Sequence, residues 1–201
     1  TPFYPRSPYG VAKQYSYWMV KNYREAYGMY ACNGILFNHE SPLRGDNFVT
    51  QKIVKGVIDI MLGRKDCLTV GNLNAQRDWG HAADYVKGMW LMMQQDKPED
   101  YVLATGKTHS IKELIEYGFN KYLGVQLQWE EKGVNEIGFD TKENSEYKGI
   151  LVNCSSEFYR PTEVDLLLGD PTKAEKELGW ERQYSFYDLI DEMFEYQLEK
   201  E

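Results

Sequence analysis

Tyr9 and Lys13 lie four residues apart near the start of the chain, in the run Tyr9-Gly10-Val11-Ala12-Lys13. On a helix that spacing puts both on one face, about one turn apart. A phenol with a pKa of about 10 is a poor base at neutral pH. A neighbouring ammonium and the positive end of a helix dipole would favour its phenolate, and the same lysine could donate to ribose hydroxyls of a nucleotide cofactor. A chain with 16 tyrosines also makes such a pair by accident, so spacing alone leaves both readings open. Arg77-Asp78 likewise reads either as a surface ion pair or as an arginine facing an anion. His39-Glu40 is no metal site, because no second pair of ligands lies at useful spacing. His81 and His109 read as structural histidines, the second just ahead of a helix cap.

These residues need elements to hold them. Ser7-Pro8 opens a helix that runs through an aromatic stretch and closes at Gly28, with Ser as N-cap and Pro in the first turn. Met29 to Phe37 is an apolar run with the pattern of a parallel strand buried on both faces. Asn38 to Asn47 reads as a polar loop, Phe48 to Leu62 as an amphipathic helix and Cys67 to Val70 as a strand. Residues 72–83 are polar without a helical period. Asp84 to Gln95 is an apolar helix whose Met89, Met92 and Met93 are expected in the core, and Tyr101 to Ala104 is a strand. Ser110-x-x-Glu113 has capping-box spacing ahead of a helix to about Leu123, and Leu127 to Trp129 is a strand. Residues 130–149 read as a surface excursion, and Leu151 to Cys154 as a strand. Asp170-Pro171 and Ser185-x-x-Asp188 open the last two helices. Helices alternating with short apolar strands make the chain α/β.

Composition narrows the function classes. With 42% apolar residues the 201-residue chain can bury a core. Lys plus Arg 23 against Asp plus Glu 31 gives a net charge of −8, which argues against nucleic acid or an anionic membrane as partner. No apolar run approaches the roughly 18 residues of a spanning helix, and a cytoplasmic protein is expected. Three scattered cysteines suggest neither a disulfide framework nor a zinc site. The chain opens at Thr1 with three prolines in eight residues, as though entered partway through a longer protein.

The segment from Tyr4 to Lys13 resembles the active-site region of extended short-chain dehydrogenase/reductases, and its wording is most similar to the GDP-mannose 4,6-dehydratase family among them. Further segments resemble the same family in the same order. They are Ile35 to Pro42, Asn47 to Thr50 with Lys52-Ile53, Gly71-Asn72-Leu73 with Arg77 to Ala82 and Asp84 to Val86, and Arg160 to Asp165. The resemblance covers nearly the whole chain outside residues 130–149. It implies the C-terminal portion of an NAD(P)-binding Rossmann fold plus a smaller α/β sugar-nucleotide domain. Residues 1–40 and about 80–106 would belong to the first and about 41–79 and 107–201 mainly to the second, interleaved.

The implied roles fall on individual residues. Tyr9 matches the family's catalytic base and Lys13 its partner on the nicotinamide ribose. His39 and Arg44 match NADP contacts, and Asn38 and Arg77 match contacts to the sugar-nucleotide pyrophosphate. Lys52 belongs to the substrate-side helix. Arg160 and Glu163 match a phosphate and ribose pair, for which a guanidinium fork and a carboxylate are the suitable chemistry. The implied activity is a lyase of GDP-fucose and deoxysugar synthesis that converts GDP-mannose to GDP-4-keto-6-deoxymannose. Oxidation at C4 acidifies the C5 proton, water leaves from C6, and the hydride returns there, so NADP is recycled. A homo-oligomer, dimer or tetramer, is implied for the full-length enzyme.

Two departures from the family stand out. Leu43 precedes Arg44 where two arginines are usual. No two of the 17 glycines are closer than five positions, so the Gly-rich phosphate turn is not in this sequence. The 201-residue chain alone is therefore expected to be inactive. The alternatives are another extended-family sugar-nucleotide epimerase or reductase, and a non-catalytic nucleotide-sugar-binding module.

Overall fold

A computed structural model describes residues 1–159 and 166–201. From the start the chain forms α1 (Pro8–Tyr27), β1 (Gly34–Leu36), β2 (Asn38–Glu40) and α2 (Val49–Met61). It continues through β3 (Leu68–Val70), β4 (Gln76–Arg77), β5 (Trp79–His81) and α3 (Ala82–Met92). Next come β6 (Tyr101–Leu103), β7 (His109–Ser110), α4 (Ile111–Gly118), β8 (Gln128–Glu130) and β9 (Ile137–Phe139). The last elements are β10 (Ile150–Cys154), β11 (Leu166–Leu167), α5 (Thr172–Leu178) and α6 (Phe186–Leu198).

Local chemistry sets the helix ends where the sequence places them. The Ser7 hydroxyl accepts the Gly10 amide at 3.0 Å, and Gly28 closes α1 in the left-handed region at φ 62°. A side chain there would be strained. Ser110 caps α4 by accepting the Glu113 amide, and Ser185 with Asp188 forms a full capping box on α6.

Among the described residues the strands form four small sheets. Parallel pairs join β1 to β6 and β2 to β5. Central β4 lies between β11, parallel, and β7, antiparallel. The fourth sheet runs β3-β10-β9-β8, with β3 and β10 parallel and the rest antiparallel. Two apolar cores result among the described residues. The larger packs α2, α4 and α6 on β3 and β10 through Ile53, Val57, Leu114, Ile115, Leu189 and Phe194. The smaller packs α3 and α5 against β6 through Tyr85, Met92, Leu103, Leu178 and Trp180. Each such buried side chain contributes about 1.5–3 kcal/mol.

Several expectations need correction. The strand read as Met29 to Phe37 is paired only over Gly34–Leu36, and it is not covered on both faces, since Gly34 is exposed and Ile35 and Leu36 are half-buried. Among the described residues only β6 pairs with it. Asn38–Glu40 is a strand rather than loop, because β5 pairs with its backbone while local partners satisfy its polar side chains. β4, β5, β9 and β11 were hidden because two or three residues are too few to display a period. Met92 is buried, but Met89 and Met93 are exposed. With Val86 and Trp90 they share the helix face turned away from β6, one turn apart.

Candidate functional site

Tyr9 sits in the first turn of α1 and Lys13 follows one turn on, its Nζ 5.9 Å from the centroid of the Tyr9 ring. Both line a groove of about 440 Å³ whose opposite wall is Asn33 to Leu36 and whose rim is Phe3 to Pro5. Tyr9 is 73% exposed there. Among the described residues no residue of helix α1 is fully buried, and polar contacts help join it to the sheet. Arg24 donates to both Asp100 oxygens at 2.8 and 3.2 Å, and Asn33 donates to Asp100 through its amide and side chain at 3.0 and 3.1 Å. Burial pushes the Asp100 carboxyl up, but the bonds from Arg24 and Asn33 outweigh it and hold the group below its ordinary range.

Beyond β1 the chain passes through Phe37 into β2, which carries Asn38 and His39. His39 Nδ1 lies 2.9 Å from the Phe37 carbonyl, so this nitrogen donates, and the ring leans on Tyr85. Glu40 is buried, accepts the Thr50 hydroxyl at 2.8 Å and pairs with Arg44 Nε at 2.9 Å. Burial raises its pKa, opposed by Thr50 and then by Arg44. The Arg44 guanidinium also lies 3.4 Å from the Phe48 ring centroid, which fixes the arm on both sides.

Lys52 belongs to α2 and the larger core's rim, with its Nζ 3.3 Å from the Phe158 ring centroid. Burial, and then the charge of Lys65, lowers its pKa. Arg77 lies in β4, donating to the Gln76 carbonyl at 2.8 Å. The β2–β5 register puts Asn38 opposite Trp79, two residues from Arg77. Arg160 and Glu163 fall outside the described residues, although the strand that follows them, β11, pairs with Arg77's own strand. Tyr9 and Lys13 are thus together beside β1, Asn38 and Arg77 sit on linked strands, and Lys52 faces Phe158 elsewhere.

His81 caps α3 by accepting the Ala83 amide, and its Nε2 meets Glu192 at 2.6 Å, a structural role as expected. His109 stacks on Phe186 and bonds to Glu113, just ahead of the Ser110 cap. Asp78 is no surface partner of Arg77, because it is fully buried and takes its hydrogen bonds from Thr105, Gly106 and Gly169. The roles of Asp78 and Asp100 were missed. For Asp100 no local signal existed, since its partners lie 67 and 76 positions away. Among the described residues no three His, Cys, Asp or Glu side chains could hold a metal ion, and no helix is long and apolar enough to cross a membrane.

A phenol with an ammonium beside it suits proton transfer at a hydroxyl, and an arginine at the end of a strand suits a phosphate. Comparison with known proteins gives this chemistry a setting. The sequence model of a family described as "GDP-mannose 4,6 dehydratase" matches residues 1–193. A protein of that name from Dictyostelium discoideum is 58% identical over 193 residues, which are 96% of this chain and 53% of the relative. The one from Homo sapiens is 54% identical, with 96% of this chain and 50% of the relative covered. The chain thus spans about half the length of the curated relatives it matches. Among solved structures, RMD from Pseudomonas aeruginosa complexed with NADPH superposes with a TM-score of 0.78 at 17% identity, covering 98% of this chain and 58% of that one. The dTDP-glucose 4,6-dehydratase of Bacillus anthracis in complex with NAD gives 0.74 at 18% identity, covering 99% and 54%. At such identities these two show a shared α/β fold.

Proposed function

Because the chain belongs to the GDP-mannose 4,6 dehydratase family, we propose that it supplies the proton-transferring and sugar-nucleotide-holding part of an enzyme that converts GDP-mannose to GDP-4-keto-6-deoxymannose. The observation that carries the reading is the placement of Tyr9 and Lys13 together in one groove against β1, at the dipole-positive end of α1. Tyr9 takes the proton from the sugar C4 hydroxyl. Lys13 holds a ribose through its ammonium. Asn38 and Arg77, with Arg160 and Glu163, bind the nucleotide diphosphate and its ribose, and Lys52 serves the same side. His39 and Arg44 face the cofactor.

The groove presents the Tyr9 hydroxyl and the Lys13 ammonium, the groups that a nicotinamide ribose and a sugar hydroxyl need. NADP is the proposed cofactor, and when bound it supplies reversible hydride acceptance. The sequence has no closely spaced glycines to cradle the cofactor's pyrophosphate, a task proposed to fall outside these 201 residues, with residues 1–40 and about 80–106 on the nucleotide side. The 201 residues alone are then inactive. A cytoplasmic homo-oligomer working toward GDP-fucose completes the reading.

The test is to incubate the native polypeptide with GDP-mannose and catalytic NADP and follow the product by mass. Loss of one water without net formation of reduced cofactor is expected. A product isomeric with GDP-mannose would make it an epimerase, and binding without conversion would make it a binding module.

A further inference from the structure

We infer that Asp78 is a positioning residue for the sugar-nucleotide side of the site, a buried carboxylate that aligns the strand of Arg77 with the strands on either side of it. The inference rests on the proposed role of Arg77. Asp78 lies between β4 and β5 and is fully buried. Its Oδ1 accepts the Thr105 amide and hydroxyl, both at 2.7 Å, and its Oδ2 accepts the Gly106 amide at 3.0 Å and the Gly169 amide at 3.2 Å. Its own amide donates to the Leu167 carbonyl at 3.0 Å. Four donors match the acceptor capacity of an ionised carboxylate, which is what makes its burial tolerable.

Those donors come from positions 27, 28 and 91 residues along the chain, so one side chain ties three segments together. The first is the turn after β6. The second is the exit of β11, the strand that follows Arg160 to Asp165. The third is the β4–β5 junction itself, with Arg77 one residue before and Trp79, opposite Asn38, one residue after.

Packing at this point is tight enough to transmit a shift. A Cβ on Gly169 would stand 2.2 Å from the Ala104 Cβ and 2.9 Å from two carbons of the Phe37 ring. Asn38 is the next residue after Phe37, whose amide bonds to the Leu103 carbonyl. Tyr9 and Lys13 depend instead on the Arg24–Asp100 contact, so the two halves of the site are held by different carboxylates. Asparagine at position 78 would turn an NH2 group toward amide donors. The strands around Arg77 would then lose alignment while the Tyr9 groove kept its shape.

The experiment compares Asp78→Asn, Thr105→Val and Arg77→Ala with the wild type in the native polypeptide. It measures GDP-mannose and NADP affinity by calorimetry, kcat and KM, and near-ultraviolet circular dichroism. Asp78→Asn is expected to raise the GDP-mannose Kd and KM by roughly tenfold or more while the NADP Kd and kcat stay within about threefold, with Thr105→Val moving the same way by less. Should Arg77→Ala bind GDP-mannose as the wild type does, the role of Arg77 is wrong. Should Arg77→Ala weaken binding while folded Asp78→Asn does not, or should Asp78→Asn weaken both ligands equally, the inference about Asp78 is overturned. If Asp78→Asn does not fold, Thr105→Val decides by the same comparison.

Discussion

Replacing Asp100 with alanine should detach the helix that carries Tyr9 and Lys13. The carboxylate receives two bonds from Arg24 and two from Asn33, and so joins α1 to the start of β1. Breaking a buried pair costs about 3–5 kcal/mol and an exposed one about 0–1. With side chains 16% and 18% exposed, the Arg24–Asp100 pair lies between these limits, so a loss of about 2–3 kcal/mol is expected for Asp100→Ala. Urea unfolding of the native polypeptide measures this, and amide hydrogen exchange should show lost protection concentrated in α1. The Asp100 carboxyl titrates below its ordinary value in the fold. Its contribution is therefore complete above the unfolded carboxylate pKa of about 3.9 and disappears as pH falls through the lower folded value, so wild type and variant should converge in acid. A loss under about 1 kcal/mol, or unchanged exchange in α1, would refute the reasoning.

Other perturbations probe the same architecture. Tyr85 is fully buried and its hydroxyl has no hydrogen-bond partner among the described residues, so Tyr85→Phe should leave thermal stability unchanged or raise it by about 1 kcal/mol, and a clear fall in Tm would mean a partner exists. Gly169→Ala should destabilise by about 1–3 kcal/mol in denaturant titration, because Ala104 and Phe37 leave no room for the methyl group; an unchanged midpoint would contradict the packing. Arg77→Ala should weaken GDP-mannose binding by roughly 1.5–3 kcal/mol in calorimetry with less effect on NADP, and an unchanged affinity would remove Arg77 from the site.

The ends of α1, α4 and α6 were legible because they are written locally: Ser7, Ser110 and Ser185 are side-chain caps three residues from their targets, and Gly28 closes α1 through its backbone. The strands were less so. β4 and β5 are two and three residues long and exist through partners far along the chain, as Leu167 lies opposite Arg77. Tyr9 and Lys13 were visible as a spaced pair, and the structure adds the groove along β1 that they share. The acids behind the site were not visible. Asp78 and Asp100 act through bonds to segments brought close only by folding, and a sequence pattern carries no trace of that geometry.

The most direct test of the central claim is the single-turnover rate of Tyr9→Phe in the native polypeptide with GDP-mannose and NADP bound. Removing one oxygen from an exposed ring takes away the base and leaves the packing of α1 untouched, so the chemical step alone should suffer. The account predicts a fall of at least about 100-fold in formation of the 4-keto-6-deoxy product, with GDP-mannose affinity within about twofold of wild type. A rate within about tenfold of wild type would contradict it and take proton transfer away from Tyr9.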